Sequence, residues 1–389
     1  MNTPFRFLAG AVALALASCA LAPEPASGDL VAPSFETGAA AAGDAIAAAM
    51  AADQIPALSV AVMKDGVLVW SAAFGDSDLE NATPATRDTK YRLASVSKLF
   101  AADLAAMMAA EGVVDLDADI RTYLPAFPDK GAKITLRQLL GHIAGIRHYT
   151  AKDFDFAQAG GIIDTRLYPD AASILAIFAN DPLVSPPGAE YHYSTFGYSL
   201  VSLVLEAASG KSFTELLDEK LLRPAGLADI VVDDSFALIK DRAEFYDPAS
   251  RYEQILNPAN YGPVVNAPPL NSAYKIAGGG LAGDAEAVAA FGELHRAPGF
   301  LAAPLWQEIF TPQKLTNGET ISHGLGWRIE EDANGRRIFQ HSGSQQGARA
   351  HLLVYPDDGV VVAFLTNMGG LPADSAALAQ AIGEQFLGR

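Results

Sequence analysis

The sequence predicts an α/β (α+β) fold: one antiparallel sheet built from both ends of the chain and flanked by helices, beside a mostly helical domain. Two apolar, strand-like runs joined by an Asp-Gly turn occur near the start of the chain, and similar runs return near its end. Between them, apolar residues recur at spacings of three and four, which is the period of a helix. Strands at both ends with helices between them favour one sheet made by the two termini.

The first part of this sheet is predicted at residues 58–70. Residues 58–63 and 67–70 are apolar runs, and the Lys64-Asp65-Gly66 segment between them is typical of a hairpin turn. The preceding residues 37–53 are rich in alanine, with Ile46 and Met50 four residues apart, which predicts a helix.

The helical middle is predicted to begin at residues 95–111, where Phe100, Leu104 and Met107 are spaced four and three apart. Shorter helices are predicted at residues 135–140, 171–179 and 198–208.

The end of the chain returns to strands at residues 337–340, 350–355 and 360–366, followed by a helix at 373–386. We therefore assign residues 35–91 and 320–389 to the α/β domain and residues 92–319 to the mostly helical domain.

The composition of the chain limits its partners. Its 389 residues are 50% apolar, which is enough for a sizeable core, and their net charge is −18. This charge repels phosphate backbones, so we expect no nucleic acid partner. The single cysteine, Cys19, allows neither an internal disulfide nor a thiolate metal site. The seven histidines form no His-Glu-x-x-His pattern, and we expect no metal and no cofactor.

Residues 1–18 are predicted to be a signal peptide, because Arg6 precedes an apolar run too short to span a membrane stably. The run ends in Leu16-Ala17-Ser18-Cys19, which resembles the lipobox of bacterial lipoproteins and implies lipid on Cys19. Residues 19–34 would then form a tether, and the protein would be periplasmic and lipid-anchored to the outer membrane. The alternative is an ordinary secretory signal cleaved near residues 20–22.

The first candidate catalytic element is Ser95-Val96-Ser97-Lys98, at the start of a predicted helix. Residues i and i+3 share a helical face, so the Lys98 amine can act as a base for the Ser95 hydroxyl if its pKa is lowered. The spacing alone is weak evidence, because Ser272-Ala273-Tyr274-Lys275 has it too. We interpret this second match as structural, since the glycine-rich residues 276–280 that follow are not typical of a helix start.

The second element is Tyr193-Ser194-Thr195. The Tyr193 phenol can relay a proton between nucleophile and leaving group, and the hydroxyl of Ser194 or Thr195 can hold the substrate or the lysine. The alternative is that Tyr193 is a core aromatic, which is our interpretation of Tyr191 and Tyr198.

The third element, His341-Ser342-Gly343, follows a predicted strand and precedes Ser344. Small residues at a strand edge let a substrate lie alongside, and the N–H groups of Ser344 and Ser95 can together stabilise an oxyanion. The alternative is a glycine-containing turn with a solvated histidine.

In this order, the three elements resemble the signature of serine β-lactamases and penicillin-binding proteins: Ser-x-x-Lys, then Tyr-x-Asn or Ser-x-Asn, then Lys-Thr-Gly or His-x-Gly. The flanking residues 91–98, 134–140, 188–198 and 324–327 agree, so the resemblance covers roughly residues 40–386. Residues 144–149 and 275–280 are most similar to the class C-like group that contains the mitochondrial serine β-lactamase-like protein and its bacterial relatives.

The resemblance implies a β-lactamase/transpeptidase-like fold, an active site between the two domains and an acyl-enzyme mechanism without metal. Lys98, assisted by Tyr193, would take the proton of Ser95, and the N–H groups of Ser95 and Ser344 would form the oxyanion hole. No deacylating Glu motif of the class A type is evident in the sequence.

Two departures from the family pattern bear on the substrate. Thr195 stands where the family usually has asparagine, and His341 stands where it often has lysine. Both changes disfavour efficient β-lactam hydrolysis, so the pattern suits a peptidase, D,D-peptidase-like, or an esterase better.

The expected partner is a small-molecule or peptide substrate, and an assembly of identical chains is compatible with the sequence. Candidate substrate-binding residues are Thr195, His341, Ser342, Gly343, Arg147, His148 and Arg349, of which Arg147, His148, His341 and Arg349 are candidate carboxylate contacts. The alternatives are a weak β-lactamase or penicillin-binding protein and a catalytically silent, lipid-anchored scaffold or binding module. An α/β-hydrolase would need a Gly-x-Ser-x-Gly elbow, which the sequence lacks.

Overall fold

The computed structural model describes residues 28–155, 163–253, 257–370 and 375–388. The predicted signal peptide, the lipobox and Cys19 lie outside the described residues. Of the helices within these ranges, none is long and apolar enough to cross a membrane.

Thirteen strands and eleven α-helices lie in the described residues. The strands are β1 (Leu30–Val31), β2 (Ala57–Lys64), β3 (Val67–Asp78), β4 (Thr83–Pro84), β5 (Tyr91–Arg92), β6 (Val231–Val232), β7 (Tyr246–Pro248), β8 (Val264–Asn266), β9 (Leu281–Gly283), β10 (Arg328–Glu331), β11 (Arg337–Gln345), β12 (Ala348–Tyr355) and β13 (Val360–Thr366). The α-helices are α1 (Glu36–Asp53), α2 (Ser97–Ala110), α3 (Leu136–Leu140), α4 (Ala171–Phe178), α5 (Thr195–Ser209), α6 (Phe213–Leu217), α7 (Arg223–Ala225), α8 (Ile276–Gly279), α9 (Ala285–Glu293), α10 (Ala303–Ile309) and α11 (Ser375–Glu384).

The main sheet is antiparallel and takes its strands from both ends of the chain, as the sequence predicts. Its order is β1-β3-β2-β13-β12-β11-β10, with β4 paired to the end of β3. The two halves join where β13 pairs with β2, which places Val362 opposite Val62. Asp65 and Gly66 both have positive φ, the left-handed backbone that a tight turn between β2 and β3 requires.

Apolar side chains cover both faces of the main sheet. On one face α1 and α11 bury Ile46, Phe364 and Ile382 in one core. On the other face α9 packs on β2 and β13, and α2 and α5 complete a larger core. The 3-10 turn Ala94–Val96 leads into α2 and packs against β11 and β12. This contact brings the start of α2 to the sheet edge that carries the third sequence element.

Four observations bear on the predicted boundaries. Leu30 and Val31, within the predicted tether 19–34, pair with β3, so the sheet holds the end of that segment. β11 continues through Gln345 because residues 341–345 keep pairing with β12. α9 packs on the main sheet although it lies inside the segment assigned to the helical domain, and the domain boundaries stay a prediction. The final helix is described from Ser375, and residues 373–374 lie outside the described part of the chain.

Candidate active site

Ser95 is held at the point where the chain turns into α2. It lies in the 3-10 turn that precedes the helix, so the predicted helix at 95–111 begins as α2 at Ser97. Ala94 before it has φ 45°, a left-handed conformation that is unfavourable for a residue with a Cβ. Such strain is maintained only where the surrounding packing fixes it, and it presents Ser95 to the cleft.

Lys98 lies one turn after Ser95 and is completely buried. Its Nζ is 3.0 Å from Ser95 Oγ, 3.3 Å from Thr195 Oγ1 and 2.7 Å from the carbonyl oxygen of Gly278. The ring of Tyr193 lies 4.9 Å from the same nitrogen. The amine therefore joins the first and second sequence elements through direct contacts.

These surroundings favour an uncharged Lys98. Burial, followed by the positive charge of Lys275, lowers the pKa of Lys98 well below its usual 10.5. An uncharged amine has two N–H donors and one lone pair. It can donate to Gly278 O and Thr195 Oγ1 and still accept the proton of Ser95, so the three contacts match the needs of a general base.

Tyr193 completes the group around the nucleophile. Its phenol hydrogen-bonds to Ser95, and burial raises its pKa, so it keeps its proton at neutral pH. The neighbouring hydroxyls have divided roles. Ser194 Oγ accepts from the N–H of Gly197 at 2.9 Å and caps α5, whereas Thr195 contacts Lys98.

Three histidines surround the Tyr193 ring: His142, His148 and His341, with ring centroids 4.3, 5.3 and 6.2 Å away. Burial is the main cause that lowers the pKa of each, and that of His148 falls to about 4. All three rings are therefore neutral at pH 7. The Nδ1 of His341 lies 2.6 Å from the carbonyl oxygen of Ser342, so Nδ1 carries the proton and donates it.

The third element lies inside β11 rather than in a turn. A Cβ at Gly343 would lie 2.3 Å from Leu93 O and 3.0 Å from Ser95 N, so only glycine lets β11 pass this close to the nucleophile. Ser342 and Ser344 line the cleft beside Ser95, whereas Gly343 lies behind Ser95 and is not among the cleft-lining residues of the described chain. The predicted oxyanion pair, Ser95 and Ser344, thus shares one wall.

These residues border a cleft of about 1150 Å³. Its wall includes Ser95, Tyr193, Thr195, His148, His341, Lys275, Arg251 and Arg328. Three or more His, Cys, Asp or Glu side chains do not gather into a possible metal site anywhere in the residues that the structure describes.

Two predicted carboxylate contacts lie elsewhere. Arg147 pairs with Asp153 at 2.8 Å and with Asp181, so its charge is used to hold its own loop together. The N–H of Arg349 donates to Thr366 within the sheet. Neither arginine is among the residues that line the cleft in the described ranges. The cleft as the structure has it therefore does not support a substrate contact for these two side chains, and that role stays a prediction.

Lys275 and Gly278 are two residues of the site that the sequence analysis missed. Lys275, interpreted as structural, lines the cleft with its Nζ 3.6 Å from Asp164 Oδ1. A Cβ at Gly278 would lie 2.8 Å from Thr195 Cγ2, so glycine is needed where this carbonyl meets Lys98. The resemblance of residues 275–280 to the class C-like group was the feature of the sequence that could have identified both.

Comparisons with known proteins identify the family to which the sequence is similar. The chain matches the β-lactamase family over residues 43–386. The serine β-lactamase-like protein LACTB, mitochondrial, of Bos taurus is 26% identical over 428 residues, which cover 83% of this chain and 75% of that protein. The D-aminopeptidase of Cereibacter sphaeroides is 27% identical over 326 residues, which cover 83% of this chain and 59% of that protein.

The octameric penicillin-binding protein homologue from Pyrococcus abyssi has the same fold. It superposes with a TM-score of 0.71 and 25% identity over 87% of this chain and 75% of its own. This likeness confirms the predicted β-lactamase/transpeptidase-like fold class. Since the family match spans most of the sequence and includes all three elements that meet in the cleft, the chain belongs to the β-lactamase family and is a serine hydrolase.

Proposed function

We propose that the protein hydrolyses an amide or ester bond of a peptide-like substrate through an acyl-enzyme on Ser95. The observation that carries the proposal is the setting of Lys98. Its fully buried amine lies 3.0 Å from Ser95 Oγ and has no carboxylate partner among the described residues. This is the environment that produces a neutral amine base beside a serine hydroxyl.

In the acylation step, Lys98 Nζ takes the Ser95 proton while Ser95 Oγ forms a bond to the substrate carbonyl carbon. The carbonyl oxygen becomes an oxyanion, which the N–H groups of Ser95 and Ser344 stabilise. The bond to the amine or alcohol then breaks, and the leaving group needs a proton. The Tyr193 phenol supplies it and is then reprotonated by the protonated Lys98.

Deacylation follows the same route with water as the nucleophile. The neutral Lys98 accepts one proton of the water, with Tyr193 as the relay, as the water oxygen attacks the ester carbonyl of the acyl-enzyme. Ser95 Oγ leaves and recovers its proton, and the free acid is released. Because all three histidines around Tyr193 are neutral at pH 7, they are not a source of protons for this cycle.

An amide or ester substrate is favoured over a β-lactam by the two departures in the motifs. Thr195 contacts Lys98 instead of offering a side-chain amide to the substrate. His341 is buried and neutral, so it provides no permanent cation at the third element. One relative is named a D-aminopeptidase, which supports peptide-like substrates.

Mass spectrometry of the intact mature chain tests the nucleophile and the bond type. The chain is incubated with a fluorophosphonate, p-nitrophenyl butyrate, a fluorescent penicillin or a peptide ending in D-alanine, with Ser95→Ala in parallel. We expect a fluorophosphonate adduct only on the wild type, and turnover of the ester or the peptide. A lasting penicillin adduct with no other turnover would favour a penicillin-binding protein instead. A folded wild-type chain that no reagent modifies would favour the silent scaffold.

We also propose that Cys19 is lipidated and anchors the protein to the periplasmic face of the outer membrane. The support is the Leu16-Ala17-Ser18-Cys19 sequence and the Pro- and Ala-rich segment after it. Labelling with a fatty-acid analogue, followed by membrane fractionation, is expected to mark the wild type and not Cys19→Ser. An unlabelled, freely soluble wild type would contradict the anchor. Light scattering of the unanchored chain would show whether it assembles, as its octameric structural relative does.

A further inference from the structure

Among the described residues, three basic side chains line the cleft: Arg251, Lys275 and Arg328. Arg251 pairs with Asp247 at 3.4 Å, and Lys275 pairs with Asp164 at 3.6 Å. The guanidinium of Arg328 makes neither a hydrogen bond nor an ion pair with any residue that the structure describes. Five N–H donors and one full positive charge are thus available at the cleft wall.

Arg328 lines the same cleft as the reacting groups. It opens β10, the edge strand that pairs with β11, and its partner Gln340 immediately precedes His341. The positive charge of Arg328 acts on the pKa of both Tyr193 and His341, opposing ionisation of the histidine and favouring that of the phenol. Its guanidinium therefore lies within electrostatic reach of the catalytic centre.

The surroundings of Arg328 indicate which kind of ligand its charge would bind. His341 is buried and neutral at the position where related sequences often have lysine, so β11 provides no cation at this position. A chain with a net charge of −18 repels anions, and an anionic substrate needs a local positive site to enter. The planar guanidinium fork matches a carboxylate through two parallel hydrogen bonds.

We propose that Arg328 binds a carboxylate of the substrate and makes this hydrolase prefer acyl compounds with a negative charge near the scissile bond. This inference rests on the proposed acyl-enzyme chemistry at Ser95. Arg328 acts as a specificity-determining residue, and it replaces from the edge strand β10 the charge that the third sequence element lacks.

Two matched pairs of esters test the proposal. The first pair is p-nitrophenyl butyrate and mono-p-nitrophenyl glutarate, which differ by a carboxylate on the acyl half. The second pair is phenyl butyrate and 3-butyryloxybenzoate, which differ by a carboxylate on the leaving half. The readout is the ratio of kcat/KM for the anionic ester to kcat/KM for the neutral one, measured for each pair.

Arg328→Gln removes the charge, Arg328→Lys keeps the charge without the fork, and Arg251→Gln is the matched control at a paired arginine of the same cleft. We expect the wild type to prefer the anionic member of at least one pair, and added salt to weaken that preference. Arg328→Gln is expected to lower the ratio about ten- to hundredfold, the range for a charge-assisted hydrogen bond. Arg328→Lys should lose less, and Arg251→Gln should leave the ratio unchanged.

Equal ratios in the wild type and Arg328→Gln for both pairs would overturn the inference. Fluorophosphonate labelling of Ser95 and turnover of the neutral esters separate this result from a failure of the proposed function. Protein that is labelled and active but shows no charge preference would contradict only the role of Arg328 and would leave the acyl-enzyme proposal standing. Folded protein that is neither labelled nor active contradicts the acyl-enzyme proposal, and with it the inference built on it.

Discussion

Helix α2 carries two fully buried ionisable groups whose surroundings differ. Lys98, in its first turn, contacts two hydroxyls and a carbonyl, and no carboxylate among the described residues neutralises it. Asp103, further along the same helix, has its Oδ2 2.7 Å from Nε2 of His295 on the segment that follows α9. Both side chains are completely excluded from solvent.

The difference shows what makes a buried ionisable group reactive. A buried charge is tolerated when a partner of opposite charge or a matching hydrogen bond accompanies it, and the pair then fixes the packing of two elements. A buried amine without such a partner gives up its proton and becomes a base at neutral pH. We therefore infer that Lys98 acts in catalysis, whereas the Asp103–His295 pair stabilises the core.

Removing the base Lys98 should reduce activity more than the other changes below. Lys98→Met keeps a side chain of similar length but removes the proton acceptor, and kcat/KM for ester hydrolysis should fall by about 10²–10⁴-fold. The melting temperature and circular dichroism spectrum should remain those of a folded protein. Residual activity within a few-fold of the wild type would show that another group deprotonates Ser95.

The complementary change breaks the structural pair. His295→Phe leaves the Asp103 carboxyl buried without its partner, which should reduce the free energy of unfolding by about 3–5 kcal/mol. Denaturant unfolding measures this loss. The rate at which fluorophosphonate labels Ser95 in the folded protein should remain unchanged. A slower labelling rate at unchanged stability would mean that the two pairs do not have separate roles.

A change at Lys275 should move the pH dependence. Lys98 must be unprotonated to act, so the rate rises as the pH passes its pKa from below, and burial together with Lys275 lowers that pKa. Lys275→Gln removes the repelling charge and leaves Asp164 without its ion partner, both of which raise the pKa of Lys98. The rising limb of the kcat/KM profile should therefore shift to higher pH, whereas Lys275→Arg should keep it in place. An unmoved limb in Lys275→Gln would exclude Lys275 from this role.

The smallest expected effect is at Thr195. Thr195→Val removes one hydrogen bond at 3.3 Å while Gly278 still accepts from Lys98. A single such bond contributes modestly, so kcat/KM should fall about two- to tenfold, and Thr195→Ser should restore most of it. A loss as large as that of Lys98→Met would instead give the Thr195 hydroxyl a direct part in proton transfer.

The sequence predicted those parts of the fold and the site that depend on short, regular patterns. The strands at both chain ends follow from runs of apolar residues, and the sheet that joins β2 to β13 was predicted from them. The meeting of Ser95 and Lys98 follows from helical spacing. The likeness of the flanking residues to a known family predicted that Tyr193 would join them.

Contacts between distant segments were not predictable in the same way. Arg147 was expected in the cleft because the residues around it resemble the sequences of the family. In the structure its guanidinium forms ion pairs with Asp153 and Asp181 instead. The carbonyl of Gly278 that holds Lys98 has no side chain to mark it. That no described residue pairs with the guanidinium of Arg328 depends on which side chains lie nearby in three dimensions, and a sequence pattern does not contain that information.

The reactivity of the site depends on Lys98 being an uncharged base for Ser95 at neutral pH. The most direct test of this dependence is the second-order rate of fluorophosphonate labelling of the wild type, followed from pH 5 to 11 with stability monitored in parallel. We expect a rate that rises and reaches its plateau well below pH 10.5, the usual pKa of a lysine. A rate that continues to rise until that pH, as for an ordinary solvated amine, would contradict it.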